Sequence, residues 1–375
     1  MTAASRIVLC AKSRWDPPIR REHGLATTLV AEGHRVDFLE RARDIRDLDP
    51  RRWWPPTAPP RSLPPGLVVR PQFTPVPGHR SPLAGTVDAA ILRRLLRRTL
   101  ATGPTPTAVV VNAPWNWPAT SALPAGVRRV HDIGDDWSTL LPQRRDRIMA
   151  YHRQIAAEAD AIVVVAPGLA DLFDRPVHVV PNAVAPELLA TAPVPPPGER
   201  RMTYVGTLSE RFDSDLMGEV LRRLPDWRLD LYGPCHYAGL GAEPGPSLQR
   251  LLSESDGRVQ WHGMVSRAQL SSVLDRGDVL VLPNDPAISI GQDSMKLYDY
   301  AARGRPIVAT PIRLPDDGPA VIALAADAAD FAAAVLDSAG RDASPNRAWA
   351  VANGWSSRLP AWLAAVEGVP TPVTG

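Results

Sequence analysis

The sequence predicts an α/β protein made of two doubly wound parallel-sheet domains. Three observations predict it. Short apolar runs alternate with amphipathic segments through both halves of the 375-residue chain. Runs such as Ile7 to Ala11, Ala161 to Val165 and Ile307 to Ala309 are apolar throughout, the pattern of strands covered on both faces. A proline-rich stretch, Ala192 to Gly198, breaks the alternation near the middle and is the best candidate for a linker. The predicted division is 1–190 and 199–345. The tail 346–375, with Trp355 and Trp362 and with Trp349 at its start, is expected to form a final helix that returns to the first domain.

Arg6 to Ala11 reads as the first strand. It runs into Lys12-Ser13-Arg14-Trp15-Asp16-Pro17-Pro18, a loop at the strand end where open α/β sheets bind ligands. His23 to Gly33 reads as a helix with Leu25, Leu29 and Val30 buried, and Val36 to Leu39 as the second strand. Residues 49–66 are rich in Pro and Arg and hold Trp53-Trp54; they form a long loop, either a lid with aromatic platforms or a segment packed on its own domain. Ile91 to Leu100 is a basic amphipathic helix. Arg93, Arg94, Arg97 and Arg98 lie opposite Leu92, Leu95, Leu96 and Leu100. It suits either a domain helix with solvated arginines or a peripheral contact with an anionic membrane. Ala108 to Asn112 is a strand. In Val127 to Trp137 a strand is expected to end at Val130, which puts His131 and Asp132 on its rim. The acids Asp135 and Asp136 are adjacent and point apart, with no further ligands spaced to help them hold a metal. Val177 to Val184 is a strand and connector.

The second half opens with Met202 to Thr207, a strand running into Gly206, where a backbone can approach a phosphate closely. Arg228 to Tyr232 ends in Gly233, with Trp227 packed before it, and Val259 to His262 ends in Gly263-Met264-Val265. Val279 to Pro283 leads into a polar loop, Asn284 to Asp293. The richest stretch is Ser294 to Pro311, SMKLYDYAARGRPIVATP. Ser294 suits a helix N-cap, Leu297, Tyr300 and Ala301 form one apolar face, and Gly304 suits the position after the helix where φ > 0. Pro306 then starts the strand Ile307-Val308-Ala309. Open N–H groups at Met295 to Leu297 and the helix dipole favour an anion, Lys296 adds a charge, and Asp299 one turn on suits a pair of sugar hydroxyls. The same residues also suit an ordinary helix–strand unit with one surface Lys and one surface Asp. Composition weighs on the choice: 42 residues are basic, and only Lys12 and Lys296 are lysines. A lysine kept against an arginine background marks a place for a compact point charge.

The run SMKLYDYAARGRPIVAT resembles the (P/S)-x-K-L-x-E-Y-x-A-x-G-x-P-V-V-A-T segment of GT-B glycosyltransferases, close to the retaining family 4 type. RWDPPIRREHGLATTLVAEGHRVDFLE resembles the opening of one bacterial subgroup, W-D-x-P-x-x-R-x-H-x-L-A. The resemblance implies a GT-B fold, two Rossmann-like domains facing across a cleft. It implies that Ser294, Met295, Lys296, Leu297 and Asp299 bind the diphosphate and ribose of a nucleotide-sugar. It adds Gly206, Thr207, Gly233, Gly263 and Val265, with the backbone after Gly263 at the nucleobase. The family usually has Arg after the first of these glycines and Lys further on; here Thr207 stands first and Arg211 lies near the second place, so Arg211 and Lys296 are the expected cationic pair. The resemblance places the acceptor near Lys12, Trp15, Asp16, Arg20 and His23, and the chemistry near His131 and Asp132. The family's two acidic positions are eight apart: the second is Asp299, but the first falls on Gly291. Its role is absent or passes to Asp285, Gln292 or Asp293.

The expected activity is transfer of a sugar from a nucleotide-sugar to an acceptor hydroxyl or amine, with retention implied by the resemblance. The alternatives are a GT-B sugar-nucleotide epimerase and a non-catalytic nucleotide-sugar-binding protein. The partners expected are the donor and a small-molecule or glycan acceptor, with no cofactor and no essential metal. Arg, Ala, Pro and Gly enrichment suggests a GC-rich bacterium, and natural-product decoration or surface-polysaccharide assembly. No apolar run nears the roughly 20 residues of a membrane span. Ile7 to Ala11 is too short for a signal-peptide core, two cysteines, Cys10 and Cys235, make no disulfide framework, and cytoplasm is the simplest location. No nucleic-acid module is recognisable. Charge is uneven: 1–190 holds 25 basic and 18 acidic residues, net +7, and 191–375 holds 17 and 22, net −5. The first half therefore suits an anionic partner.

Overall fold

Runs of Val, Ile and Leu can bury both faces only between two layers of helix, and each run read above becomes a parallel strand. A computed structural model describes residues 4–15, 20–44, 63–75, 80–237, 240–289, 294–315 and 318–369. The first sheet comprises β1 (Arg6–Cys10), β2 (Arg35–Leu39), β3 (Leu67–Arg70), β4 (Ala108–Val111), β5 (Arg128–Ile133), β6 (Ala161–Val164) and β7 (His178–Val179). Its order is β3-β2-β1-β4-β5-β6-β7. The second comprises β8 (Arg201–Val205), β9 (Arg228–Tyr232), β10 (Val259–Trp261), β11 (Val279–Leu282), β12 (Ile307–Ala309) and β13 (Ile322–Leu324), in the order β10-β9-β8-β11-β12-β13. All pairings within both sheets are parallel. Strand order therefore reverses beside β1 in one sheet and beside β8 in the other. Those are the places where a doubly wound sheet opens a crevice at its strand ends.

Two compact units result: residues 1–181 with 355–375, and residues 182–354. These bounds differ from the expected ones at both ends. The proline-rich run belongs to the second unit because buried arginines hold its carbonyls. Arg303 is bound through Nε and Nη2 to Asp275, at 2.9 and 2.6 Å. Its remaining N–H groups reach Leu188 O, Thr191 O and Ala192 O at 2.8, 3.0 and 3.0 Å. Arg305 adds a bond to Val194 O at 2.6 Å. Proline has no N–H, so a segment rich in it cannot pair its carbonyls with itself, and arginine supplies the missing donors. The tail also divides. The helix Ser344–Ala352 stays on the second unit, with Trp349 against Tyr298 at 5.2 Å between ring centroids. The return to the first unit begins only at the helix Trp355–Glu367, whose Trp355 and Trp362 are buried. Trp355 lies so close to the helix Arg21–Ala31 that a Cβ at Gly24 would come within 2.6 Å of its ring.

Strands β3 and β13 were not expected, because both are partly exposed edge strands, β3 being set between Pro64-Pro65 and Pro71. Strand β5 runs three residues past Val130, so His131 and Asp132 lie inside the strand rather than beyond it. The basic helix is the second half of Pro82–Leu100, with Leu92 and Leu96 in the core and Arg94, Arg97 and Arg98 exposed. Trp53-Trp54 lie outside the described residues. Among the described residues no helix is long and apolar enough to cross a membrane.

Replacing Arg303 by Leu strands a buried carboxylate and several carbonyls at once. Breaking a buried pair from one side costs about 3–5 kcal/mol. Urea unfolding of Arg303→Leu is expected to show a loss of that size, and a loss under about 1 kcal/mol, the scale of an exposed ion pair, would refute the role given to this side chain.

Candidate functional site

In the second unit, β8 and β11 pair only through Met202–Val279 and Thr203–Leu280. Beyond those pairs the hydroxyl of Tyr300, a buried residue on the helix Met295–Ala302, accepts the Val205 N–H at 2.7 Å. That bond replaces a ladder bond and keeps the two strand ends apart. Gly206 lies past the end of β8. Its N–H donates to Tyr232 O at 2.8 Å, and Gly233 N–H donates to Gly263 O at 2.7 Å. A Cβ on Gly206 would collide with Cε of Lys296, and one on Gly233, whose φ is +130°, with the carbonyl of Gly206. Three glycines at neighbouring strand ends thus clear a space that side chains would fill. The Lys296 ammonium lies there, 5.2 Å from the centre of the Tyr204 ring. Burial pushes the Tyr204 phenol up, and Arg211 is near enough to oppose that shift. Tyr204 donates to Thr207 O at 3.1 Å. Arg211 O in turn accepts from Asp285 N–H at 2.8 Å, tying together the loops that follow β8 and β11.

Ser294 occupies the N-cap of the Met295–Ala302 helix, but its hydroxyl makes no capping bond, contrary to the sequence expectation. Of the N–H groups expected to be open there, that of Leu297 is not: it donates to Ser294 O at 3.0 Å, and the helix start ahead of it lies beside Lys296. Gly304 closes the helix with φ +58°, as expected. Asp299 sits one turn in. Its Oδ1 is sheltered and has no hydrogen-bond partner among the described residues. Burial raises its pKa to about 7, with Glu187 adding to the rise; the Ala185 N–H, Arg267 and Lys296 work against it. Glu187 and Arg267 form an ion pair at 2.6 Å. Nothing in their local sequence marks either residue, and only the fold brings them near Asp299. Val265 and Gly263, with φ +73°, lie on the stretch leading to Arg267. Gly291, Gln292 and Asp293 lie outside the described residues.

In the first unit the expected residues separate. Lys12 stays on the rim beyond β1 and pairs with Asp135 at 2.5 Å, with Trp137 beneath it at 5.8 Å. Glu22, which sequence reading passed over, is buried and accepts from the Ser13 hydroxyl at 2.6 Å. Burial pushes its pKa up, yet Lys12, His23 and Ser13 together hold it below the ordinary value. Trp15 donates its N–H to Glu40 at 2.7 Å and packs its ring edge-on to Phe38 at 5.0 Å. Arg20 is exposed at the start of the Arg21–Ala31 helix. Asp16 lies outside the described residues. His23 is not placed to bind an acceptor: it is buried, Nδ1 accepts the Arg20 N–H at 3.0 Å and Nε2 donates to Arg14 O at 2.8 Å.

The catalytic roles expected for His131 and Asp132 do not fit their positions. His131 is fully buried among Trp117, His152 and Phe173, with Nδ1 donating to Val111 O at 2.8 Å. Burial, then His152, lowers its pKa to about 3. Asp132 is buried too. It accepts from Arg21 Nε at 2.9 Å and from Trp362 Nε1 at 2.9 Å, which fixes the unit's first and last helices to its sheet. Asp136 caps a short helix through Ser138 N and Thr139 N. Among the described residues no group of three His, Cys, Asp or Glu is arranged to hold a metal.

Residues 199–339 match the family model described as glycosyl transferases group 1, and residues 22–188 match the one described as glycosyltransferase family 4. No curated protein matches the chain significantly in sequence. Among solved structures, a sucrose-phosphate synthase from Thermosynechococcus elongatus superposes with TM-score 0.73 at 16% identity, covering 96% of this chain and 97% of that one. Anabaena HepE in complex with UDP and glucose gives 0.63 at 12% identity, covering 98% and 99%. AviGT4, a glycosyltransferase involved in avilamycin A biosynthesis, gives 0.59 at 14%, covering 96% and 97%.

Two pH effects follow. A carboxyl whose folded pKa is raised favours the fold while protonated and loses that contribution as pH rises through about 7. Asp299→Asn is therefore expected to leave stability unchanged near pH 4 and to raise it by about 1–3 kcal/mol at pH 8; a thermal melt showing no gain at pH 8 would contradict this. His131 and His152 have folded pKa values lowered to about 3 and about 4, so below pH 6.5 the unfolded chain takes up protons that the folded chain refuses. Stability should fall from pH 6.5 toward pH 4, and His131→Phe should flatten that slope in melts at stepped pH. An unchanged slope would show that the ring is not held neutral.

Proposed function

Because this chain belongs to the GT-B glycosyltransferases, with a family 4 first unit and a group 1 second unit, we propose that it transfers a sugar from a nucleotide-sugar bound by the second unit to an acceptor bound by the first. The observation that carries this reading is the seat of Lys296, set against Gly206 over Tyr204 at the point where strand order reverses. A diphosphate leaving a sugar gathers negative charge. Lys296, Arg211 and the first-turn N–H groups of the Met295–Ala302 helix are the groups that stabilise it. Backbone at Gly206, Thr207 and Gly233 gives the phosphates close approach, and the Gly263–Val265 stretch takes the base. Asp299 accepts from ribose hydroxyls, which supply the partner its Oδ1 lacks. Burying an acid whose pKa is driven to about 7 costs stability, a common mark of a site kept for binding.

Membership of family 4 supports retention at the anomeric carbon. A UDP-linked sugar is the first donor to test, since Anabaena HepE binds UDP and glucose. Natural-product decoration and surface-polysaccharide assembly both fit the fold's neighbours, AviGT4 for the first and the lipopolysaccharide outer core galactosyltransferase WaaB for the second.

The test is a thermal-shift and calorimetric series with UDP-, GDP-, ADP-, CMP- and dTDP-linked sugars. One family of donors is expected to stabilise the protein. Lys296→Ala is expected to weaken that donor by roughly 10- to 100-fold, the loss of charge-assisted hydrogen bonds. Proton NMR of the product should then show the donor's own anomeric configuration. Donor affinity unchanged in Lys296→Ala would remove this residue from the site, and an inverted product would remove retention.

A further inference from the structure

The chain's two lysines stand in matching seats, and the function proposed above uses only one of them. Lys296 lies against Gly206 and over the Tyr204 ring, past the end of β8. Lys12 lies two residues past the end of β1. A Cβ at Gly134 would press on its Nζ at 3.3 Å, and the centre of the Trp137 ring is 5.8 Å away. Each sheet thus carries one lysine, beside a glycine and an aromatic ring, where its strand order reverses. Forty of the 42 basic residues are arginines, yet a compact ammonium rather than a planar fork stands at both places.

Three adjacent strands, β1, β4 and β5, build the Lys12 seat from the loops at their C-terminal ends. The loop after β1 gives Lys12, and the loop after β5 gives Gly134, Asp135 and Trp137. The segment after β4 gives Trp115, whose ring meets that of Trp137 edge-on with centroids 4.9 Å apart. Both indoles are half-buried. The fold does not use up the polar groups here. Lys12 and Asp135 pair at 2.5 Å, and their side chains stay 12% and 24% exposed. An ammonium has three N–H donors; Asp135 takes one, and no other described residue takes the remaining two. Trp137 Nε1 is shielded and has no hydrogen-bond partner among the described residues. The same holds for Glu22 Oε2, on a buried side chain whose other oxygen is held by Ser13, the neighbour of Lys12.

Charge then selects the ligand. Asp135 touches the ammonium and the Glu22 carboxylate feels it, so an anion brought to Lys12 meets two like charges. The net positive charge of 1–190 is therefore not what this seat offers. It offers donors on the ammonium, an accepting carboxylate and indole surface. A hydroxyl donates and accepts at once, so two neighbouring hydroxyls bridge the ammonium and the carboxylate without bringing charge. A ring with C–H groups on one face covers the indoles.

We propose that Lys12, Asp135, Trp115 and Trp137 bind an uncharged pyranose ring, two adjacent hydroxyls on the Lys12–Asp135 pair and the C–H face on the indoles. That this ring belongs to the acceptor rests on the function proposed above; the binding of a neutral pyranose does not.

The experiment therefore needs neither donor nor turnover. Saturation-transfer NMR measures binding of methyl glucoside, methyl galactoside and methyl mannoside, with methyl glucuronide and methyl galacturonide as charged comparators. The proteins are the wild type, Asp135→Asn, Trp115→Ala and Lys296→Ala, each checked for folding by thermal melt. At least one neutral glycoside should bind the wild type at millimolar concentration, and more tightly than either uronide. Asp135→Asn and Trp115→Ala should each weaken it about tenfold, and Lys296→Ala should leave it unchanged. Should one of the first two variants fail to fold, the other decides. Binding of no neutral glycoside overturns the proposal, as does binding unchanged in the folded variants or a uronide bound more tightly than every neutral glycoside. Binding lost in Lys296→Ala and kept in Asp135→Asn and Trp115→Ala assigns the ring to the donor sugar's place and overturns it too. Titration of the same proteins with a UDP-linked sugar separates the two readings. Donor affinity should survive in Asp135→Asn and Trp115→Ala, and pyranose binding in a protein that takes no donor would leave this site standing while removing the donor assignment.

Discussion

Each unit depends on one buried arginine held by one buried aspartate. In the first, Arg21 reaches Asp132 in the middle of β5, and a second N–H binds Pro181 O at 3.0 Å, the last residue of the chain's first pass through this unit. Trp362 Nε1 completes the same carboxylate. In the second, Arg303 on Asp275 gathers the carbonyls of the entering segment. A buried ion pair gains little by itself, since desolvation offsets much of the attraction. Its consequence is positional. Once the pair is buried, every remaining donor must be satisfied, and the donors left over on a guanidinium are aimed at irregular backbone that lacks partners of its own. Segments that would otherwise be loose are thereby held to a sheet.

With the connections held, the strand ends of the second sheet are free to specialise. Parallel strands normally pair to their ends. Here the Tyr300 hydroxyl takes the Val205 N–H and stops β8 and β11 from closing. The glycines at 206, 233 and 263 remove the side chains that would refill the gap. The result is a place where backbone, one ammonium and one unsatisfied carboxylate oxygen share a small space. The two charges fare differently: the lysine is held over an aromatic face, and the acid is pushed toward neutrality.

The first unit has a different economy. Arginines near the sheet are consumed by ion pairs within the fold, while Arg94, Arg97 and Arg98 stay exposed toward the end of a helix. The paired arginines add little to the net charge of this half, which lies on other side chains.

Most strands, their parallel arrangement and the helix that starts after Ser294 were legible in the sequence, because each is written in a short window. A short apolar run between turn residues suits a covered strand, a helix start favours anions, and two lysines among forty arginines stand out by composition alone. His131 and Asp132 were misplaced for the opposite reason. Whether a polar residue two or three positions past an apolar run is at a strand's rim or inside its core depends on what covers it, and the covers here are Trp117, His152 and Trp362, distant in sequence. The proline-rich run reads locally as a linker and becomes part of a unit only because Arg303 and Arg305, over 100 residues later, reach its carbonyls. The sequence by itself determined the covered strands, though not the edge strands β3 and β13, and which residue types suit a nucleotide. Tertiary structure alone decided which polar groups are consumed by the fold and which are left for a ligand, because hydrogen-bond satisfaction in a buried site is set by neighbours in space and not by neighbours in the chain.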